Sequence, residues 1–204
     1  MDAEIWHQHA ASRAPRRPSV YGLERLGGMG LAELRRHLTV RAAWLDSWFL
    51  ASPQAERMVA GLTTTVRTNA TTAPGSKSII GISAVNTAGK STLVRRWALA
   101  LYRESLGHRA RQPGMPQWRP QPGLPAREIP VVWLNLQAKT GIKDLNYQML
   151  SYFGYPVSGA IRALTTRVAQ AVDQHNVKAV VVDDVHLLDM SDRHARDVLD
   201  HLKH

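Results

Sequence analysis

The run SIIGISAVNTAGKSTLVRRW, residues 78–97, restricts the fold of this 204-residue chain more than any other stretch. Residues 78–83 form a short, β-branched apolar segment, the pattern of a strand covered on both faces. AVNTAGKS (84–91) follows at once, and Leu93, Val94, Trp97 and Leu101 then recur at helical spacing to about residue 106. A strand that delivers a glycine-containing loop to a helix N-terminus has the layout of a phosphate-binding loop. Inward-turned backbone N–H groups and the helix dipole hold the phosphates. Lys90 meets the outer phosphates and the Ser91 hydroxyl reaches Mg²⁺. Gly89 lets the backbone come close to the ligand. Ala84 stands where this pattern most often has a glycine, at a position that asks less of the backbone. Ala84, Val85, Asn86, Thr87, Ala88, Gly89, Lys90, Ser91 and Thr92 are therefore the expected nucleotide contacts, with Lys90 also catalytic. A chance GKS at a helix start would not require a strand in front of it.

A second motif points the same way. AVVVDDVH (179–186) sets two acids at the end of a buried apolar strand. Asp183 is expected to hold Mg²⁺ opposite Ser91, directly or through water, and Asp184 to polarise the attacking water. Two solvated turn acids are the ordinary alternative, and the GKS loop in the same chain argues against it. Between the motifs, VVWLNL (131–136) predicts another buried strand. Leu145, Met149 and Phe153 mark a helix closed by Gly154 with Pro156 beyond, and Ile161, Leu164, Val168 and Val172 mark a second. Ala195, Val198, Leu199 and Leu202 predict a final helix. Strands alternating with helices predict an α/β fold of the P-loop NTPase kind, a parallel sheet with helices on both faces.

The remaining segments frame this core, expected over residues 78–204. Residues 1–20 are polar, basic and Pro-containing and read as a disordered arm. Residues 21–77 read as a helical N-terminal segment of packing elements. Leu31, Leu34, Leu38, Ala42, Leu45 and Phe49 form one apolar stripe. Ser52-Pro53 opens a second helix, with Met58, Leu62 and Val66 on one face. Five prolines in residues 107–129 predict irregular structure there. The formal net charge is +10. Residues 78–129 concentrate it, with eight Lys or Arg against two acids, whereas residues 130–204 hold eight of each. Such clustering suits a polyanion, nucleic acid above all, and a solvated Arg-rich surface is the plainer account. The absence of cysteine excludes disulfides and Cys-ligated zinc. The opening residues have no apolar signal core, and no apolar run approaches a membrane span, so a cytoplasmic protein without membrane contact is expected.

A strand and two helices between the loop helix and the acid strand, with tandem acids, resemble the additional-strand ATPases, AAA+ proteins above all. More narrowly, AVNTAGKSTLVRRWA, IPVVWLNLQAKTG with its following helix, and VVVDDVHLLD followed by RHARDVLDHLKH resemble the TniB/TnsC family of DNA-transposition ATPases over roughly residues 50–204. The resemblance implies ATP and Mg²⁺ as cofactors, DNA and a transposase as partners, and self-assembly into a ring or filament. It implies an ATPase that assembles on target DNA and recruits or activates the transposase. It also implies that Lys139 and Thr140, in the loop after the second strand, touch the DNA backbone. The Pro/Arg segment 108–129 reads as an insertion or as a DNA-facing loop using Trp118 and Arg119. His186 follows the acids at a position where relatives carry a polar residue, and no catalysis is assigned to it. The family usually carries Glu where Asp184 stands, so slow hydrolysis is expected. AAA+ proteins continue with a sensor strand, an arginine finger and a helical lid, whereas this chain ends at His204. An incomplete core with weak ATP binding and negligible turnover is therefore expected. Three other readings stay open: a non-hydrolysing, nucleotide-gated DNA-binding or regulatory module, a helicase-loader-like or signalling ATPase, and a small-molecule kinase.

Overall fold

The computed structural model describes residues 2–73, 75–85, 87–121, 124–137, 140–185, 197–198 and 200–201. In chain order the elements are α1 (Ala3–Ala11), α2 (Leu23–Gly27), α3 (Leu31–Asp46), α4 (Pro53–Thr71) and α5 (Lys90–Leu106). A 3₁₀ turn (Gly107–Arg111) follows, then β1 (Gln117–Gln121), β2 (Leu124–Arg127) and β3 (Val131–Asn135). The last are α6 (Ile142–Phe153), α7 (Ile161–Gln174) and β4 (Ala179–Asp183). The chain divides into two compact units, residues 1–11 with 54–204 and residues 12–53.

The larger unit is organised on β3 and β4, which pair in parallel from Val131↔Ala179 to Asn135↔Asp183. Both are short, mainly apolar runs, and α6 and α7 supply the crossover that a parallel pair needs. Four successive residues of β3 are buried, as expected of a strand covered on both faces. Leu145, Met149, Leu150 and Phe153 of α6 and Leu93, Trp97 and Tyr102 of α5 complete this core. α6 starts where Gly141 N–H donates to Asp144 Oδ2 at 3.0 Å. It stops at Gly154, whose φ of 82° is left-handed, a geometry glycine adopts without a Cβ penalty.

Four sequence expectations are corrected. The arm expected over residues 1–20 is helical over Ala3–Ala11, because Ala3, Trp6, His7 and Ala10 make a narrow buried stripe that average composition hides. Trp6 is 1% exposed and stacks on Trp133 with centroids 5.5 Å apart and planes 19° off parallel. His7 is pinned as well, with Nε2 donating to Gln112 O and Nδ1 accepting from the Tyr102 hydroxyl, each at 2.9 Å.

The second correction concerns residues 78–83, which form no strand; Ile79 is 52% exposed. A strand exists only if its N–H and C=O groups find a neighbouring ladder, and among the described residues β4 pairs with β3 alone. The described chain is thus a mixture of helices with two small sheets, consistent with α/β, in place of one continuous parallel sheet. The third is the Pro-rich segment, where β1 and β2 form an antiparallel hairpin. Pro120 falls where the register shifts between Trp118 and Gln121, and a two-stranded ribbon has only edges, where a missing N–H is tolerated. Buried Glu128 ties this hairpin down through Arg109 (2.6 Å) and Asn176 (2.9 Å).

The fourth lies in the smaller unit. Its α2 and α3 bury no residue. Leu31, Leu38 and Leu45, expected to pack, are 76%, 50% and 46% exposed. The half-buried face of α3 carries Leu34, His37 and Trp44 instead. Of the final helix predicted near 195–202, residues 197–198 and 200–201 are helical and the rest lie outside the described residues. Among the described residues no helix is long and apolar enough to cross a membrane.

Candidate functional site

Residues 84–91 leave the segment after α4 and enter α5 by a loop whose backbone is set at two left-handed positions. These are Thr87 (φ 64°) and Gly89 (φ 79°). Gly89 is the N-cap residue of α5, and the Leu93 N–H closes the first helical turn on its carbonyl at 2.9 Å. The first-turn N–H groups of a 17-residue helix therefore open towards the loop, where they and the helix dipole favour an anion. Lys90 folds back over the loop, its ammonium donating to the carbonyls of Ala84 (2.7 Å) and Val85 (2.9 Å). Ala84, Val85, Thr87, Ala88, Gly89 and Thr92 are exposed, and Asn86 lies outside the described residues.

The two motifs meet at Ser91. Its hydroxyl donates to Asp183 Oδ1 at 3.0 Å, joining the first turn of α5 to the C-terminal end of β4 across 92 residues of sequence. The same oxygen accepts the Asp184 N–H at 3.0 Å, and the Asp183 carbonyl accepts from Leu136 N–H at 3.1 Å. Asp183 is thus fixed by its backbone and by one carboxylate oxygen. Asp184 has already left the strand, with a φ of 59° and an exposed side chain. A hydroxyl and a carboxylate oxygen converging on one point are hard oxygen donors of the kind Mg²⁺ takes, so Ser91 and Asp183 fit such an ion.

The other expected contacts are placed differently. Thr140 is buried, and its hydroxyl is used inside its own turn, donating to Gln137 O at 2.7 Å and accepting from Gln137 N–H at 3.1 Å. Lys139 and His186 lie outside the described residues. Two residues that sequence reasoning passed over steer the chain into the loop. Lys77 donates to the carbonyls of Asn69, Thr72 and Ala73, at 3.0, 3.0 and 3.1 Å, capping the end of α4. The Asn69 amide clasps Ser78, accepting its N–H at 3.1 Å and donating to its carbonyl at 2.9 Å. A lysine just past a helix end was the available signal for the first; nothing local marks Asn69.

Comparison with curated proteins returns no match. A family model, described as Bacterial TniB protein, matches residues 41–204. That span takes in the loop, the Ser91–Asp183 junction and every element from α4 to β4. By this match over most of its length, the chain belongs to the TniB family.

Proposed function

We propose that this chain is an ATP-binding helper of DNA transposition, in which Mg²⁺-nucleotide occupies the loop 84–92 and its state is passed to DNA and to a transposase. The observation that supports this most is the 3.0 Å contact between Ser91 and Asp183, which joins the loop helix to the acid strand. In this reading Ser91 and Asp183 hold the ion, and the N–H groups entering α5 hold phosphate oxygens. Lys90 exchanges the carbonyls of Ala84 and Val85 for the outer phosphates. The bound ion neutralises phosphate charge. Asp184 acts on water, Lys139 contacts the DNA backbone, and copies of the chain assemble along the duplex.

The test is titration of a fluorescent ATP analogue with and without Mg²⁺ on the parent, Lys90→Ala and Asp183→Asn, followed by duplex DNA over a salt series. Lys90→Ala should bind at least about tenfold more weakly, the loss of one charge-assisted contact. Asp183→Asn should bind like the parent without Mg²⁺ and more weakly with it. ATP should tighten DNA binding in the parent alone. Equal nucleotide affinity in all three proteins overturns the reading.

A second reading, nucleotide-gated DNA binding without turnover, is favoured by Asp184. It is exposed, turned off the strand by its positive φ and one methylene shorter than Glu. Phosphate release in the presence of DNA separates the two readings.

A further inference from the structure

The residue-12–53 unit carries an arrangement that the nucleotide site does not use. It holds seven Arg against three acids and no Lys. Among the described residues only Arg25 of the seven forms an ion pair, with Glu33 at 3.2 Å. Along α3, His37, Arg41 and Trp44 recur at three- and four-residue spacing and so share one side of the helix, and Trp48 follows just past its end. The extended segment before α2 lies against that side. Arg17 sits 5.8 Å from the Trp44 ring centroid, and Tyr21 lies 5.0 Å from His37 with planes tilted by 58°. Between them is a recess of about 140 Å³, lined by Arg17, Tyr21, His37, Arg41 and Trp44 among others. Trp48 extends the aromatic side, edge-on to Trp44 at 4.5 Å, and is 55% exposed.

We propose that this recess binds single-stranded nucleic acid, taking one unpaired base between the aromatic rings while Arg17 and Arg41 meet the flanking phosphates. Guanidinium groups beside exposed aromatic faces are the combination that holds single strands without regard to sequence. An acidic peptide needs the cations but has no use for the rings. A duplex offers its phosphates but keeps its base faces inside the stack, so only an unpaired base can enter. The site shares no residue with the loop 84–92, and its binding needs no nucleotide.

The experiment uses the full 204-residue chain without ATP. Anisotropy of a fluorescein-labelled oligothymidylate of roughly twelve nucleotides is followed over a salt series. The parent should bind in a salt-sensitive way. Arg17→Gln/Arg41→Gln should weaken binding at least about tenfold and flatten the salt slope by about 1.4, the share of two phosphate contacts on a single strand. Trp44→Ala should weaken binding about tenfold while Trp44→Phe keeps most of it. Arg25→Gln should bind like the parent, and because no ATP is present, failure of the nucleotide reading leaves this result intact. The double Arg variant replaces exposed side chains and stays decisive even if Trp44→Ala fails to fold. The proposal is overturned if the parent does not bind, if the Arg pair is dispensable, if a duplex competes as well as the single strand, or if polyglutamate does.

Discussion

Replacing Trp6 tests whether the first helix is part of the core. Its side chain is 1% exposed, and an indole buries on the order of 200 Å². At about 25 cal/mol per Å², that burial stabilises by about 5 kcal/mol. Trp6 Nε1 is buried with no hydrogen-bond partner among the described residues, which costs about 1–3 kcal/mol and must be subtracted. The stack on Trp133 returns about 1 kcal/mol, and truncation adds a cavity term. Trp6→Ala should therefore destabilise by about 3–5 kcal/mol. Trp6→Phe keeps a stacked ring and removes the orphaned donor, so its net effect should stay within about 1 kcal/mol. Urea melts followed by far-ultraviolet circular dichroism separate the cases. With a slope near 2 kcal/mol/M, the Ala variant loses about 2 M of midpoint and the Phe variant less than about 0.5 M. If Trp6→Ala melts with the parent, the helix is not docked and the reasoning fails.

Glu128→Ala removes the acceptor of both Arg109 and Asn176 from a buried position and should cost about 2 kcal/mol, with faster amide exchange in β1 and β2. Unchanged exchange in the hairpin would contradict this. Burial lowers the pKa of His175, opposed by its Nδ1–H bond to the Arg127 carbonyl, and lowered further by the Arg127 charge. A folded-state pKa below the unfolded value means that the contribution is complete above pH of about 6.5 and is lost as pH falls through the folded value. Thermal melts from pH 8 to 5 should show this decline, and His175→Gln should flatten it. Gly154→Ala should cost about 1–2 kcal/mol through its left-handed φ of 82°, since nothing lies within 4 Å of an added Cβ. Gly154→Asn should cost less, and equal losses would mean that sterics, not backbone geometry, sets the cost.

The central elements were legible because their signals are local. Val131–Asn135 and Ala179–Asp183 are short apolar runs that end in a polar residue, α5 to α7 have regular apolar periods, and Gly154 punctuates α6. The meeting of Ser91 and Asp183 was legible because each motif marks one end of an element. What escaped depends on partners. Residues 78–83 read as a strand because apolarity predicts willingness to be buried, and a ladder also needs a neighbour. Trp6 is the one large apolar side chain that α1 buries, and half of the helix's other residues are polar, so composition weighed against it. The leucines of α3 have a faultless period, yet the side that the extended segment covers is the one with His37 and Trp44. Periodicity reports a stripe and is silent on what lies across from it.

The near-parallel indoles of Trp6 and Trp133 give the chain an optical signature of its own. Two such chromophores 5.5 Å apart are close enough to couple, and undocking of the first helix would remove that coupling. The Arg95 guanidinium stands 5.5 Å from the same Trp133 ring, on the helix that begins at Lys90. A shift of that helix moves a positive charge across the chromophore and changes its emission. In the proposed reading, nucleotide that shifts this helix should change Trp133 emission, a readout that needs no attached dye.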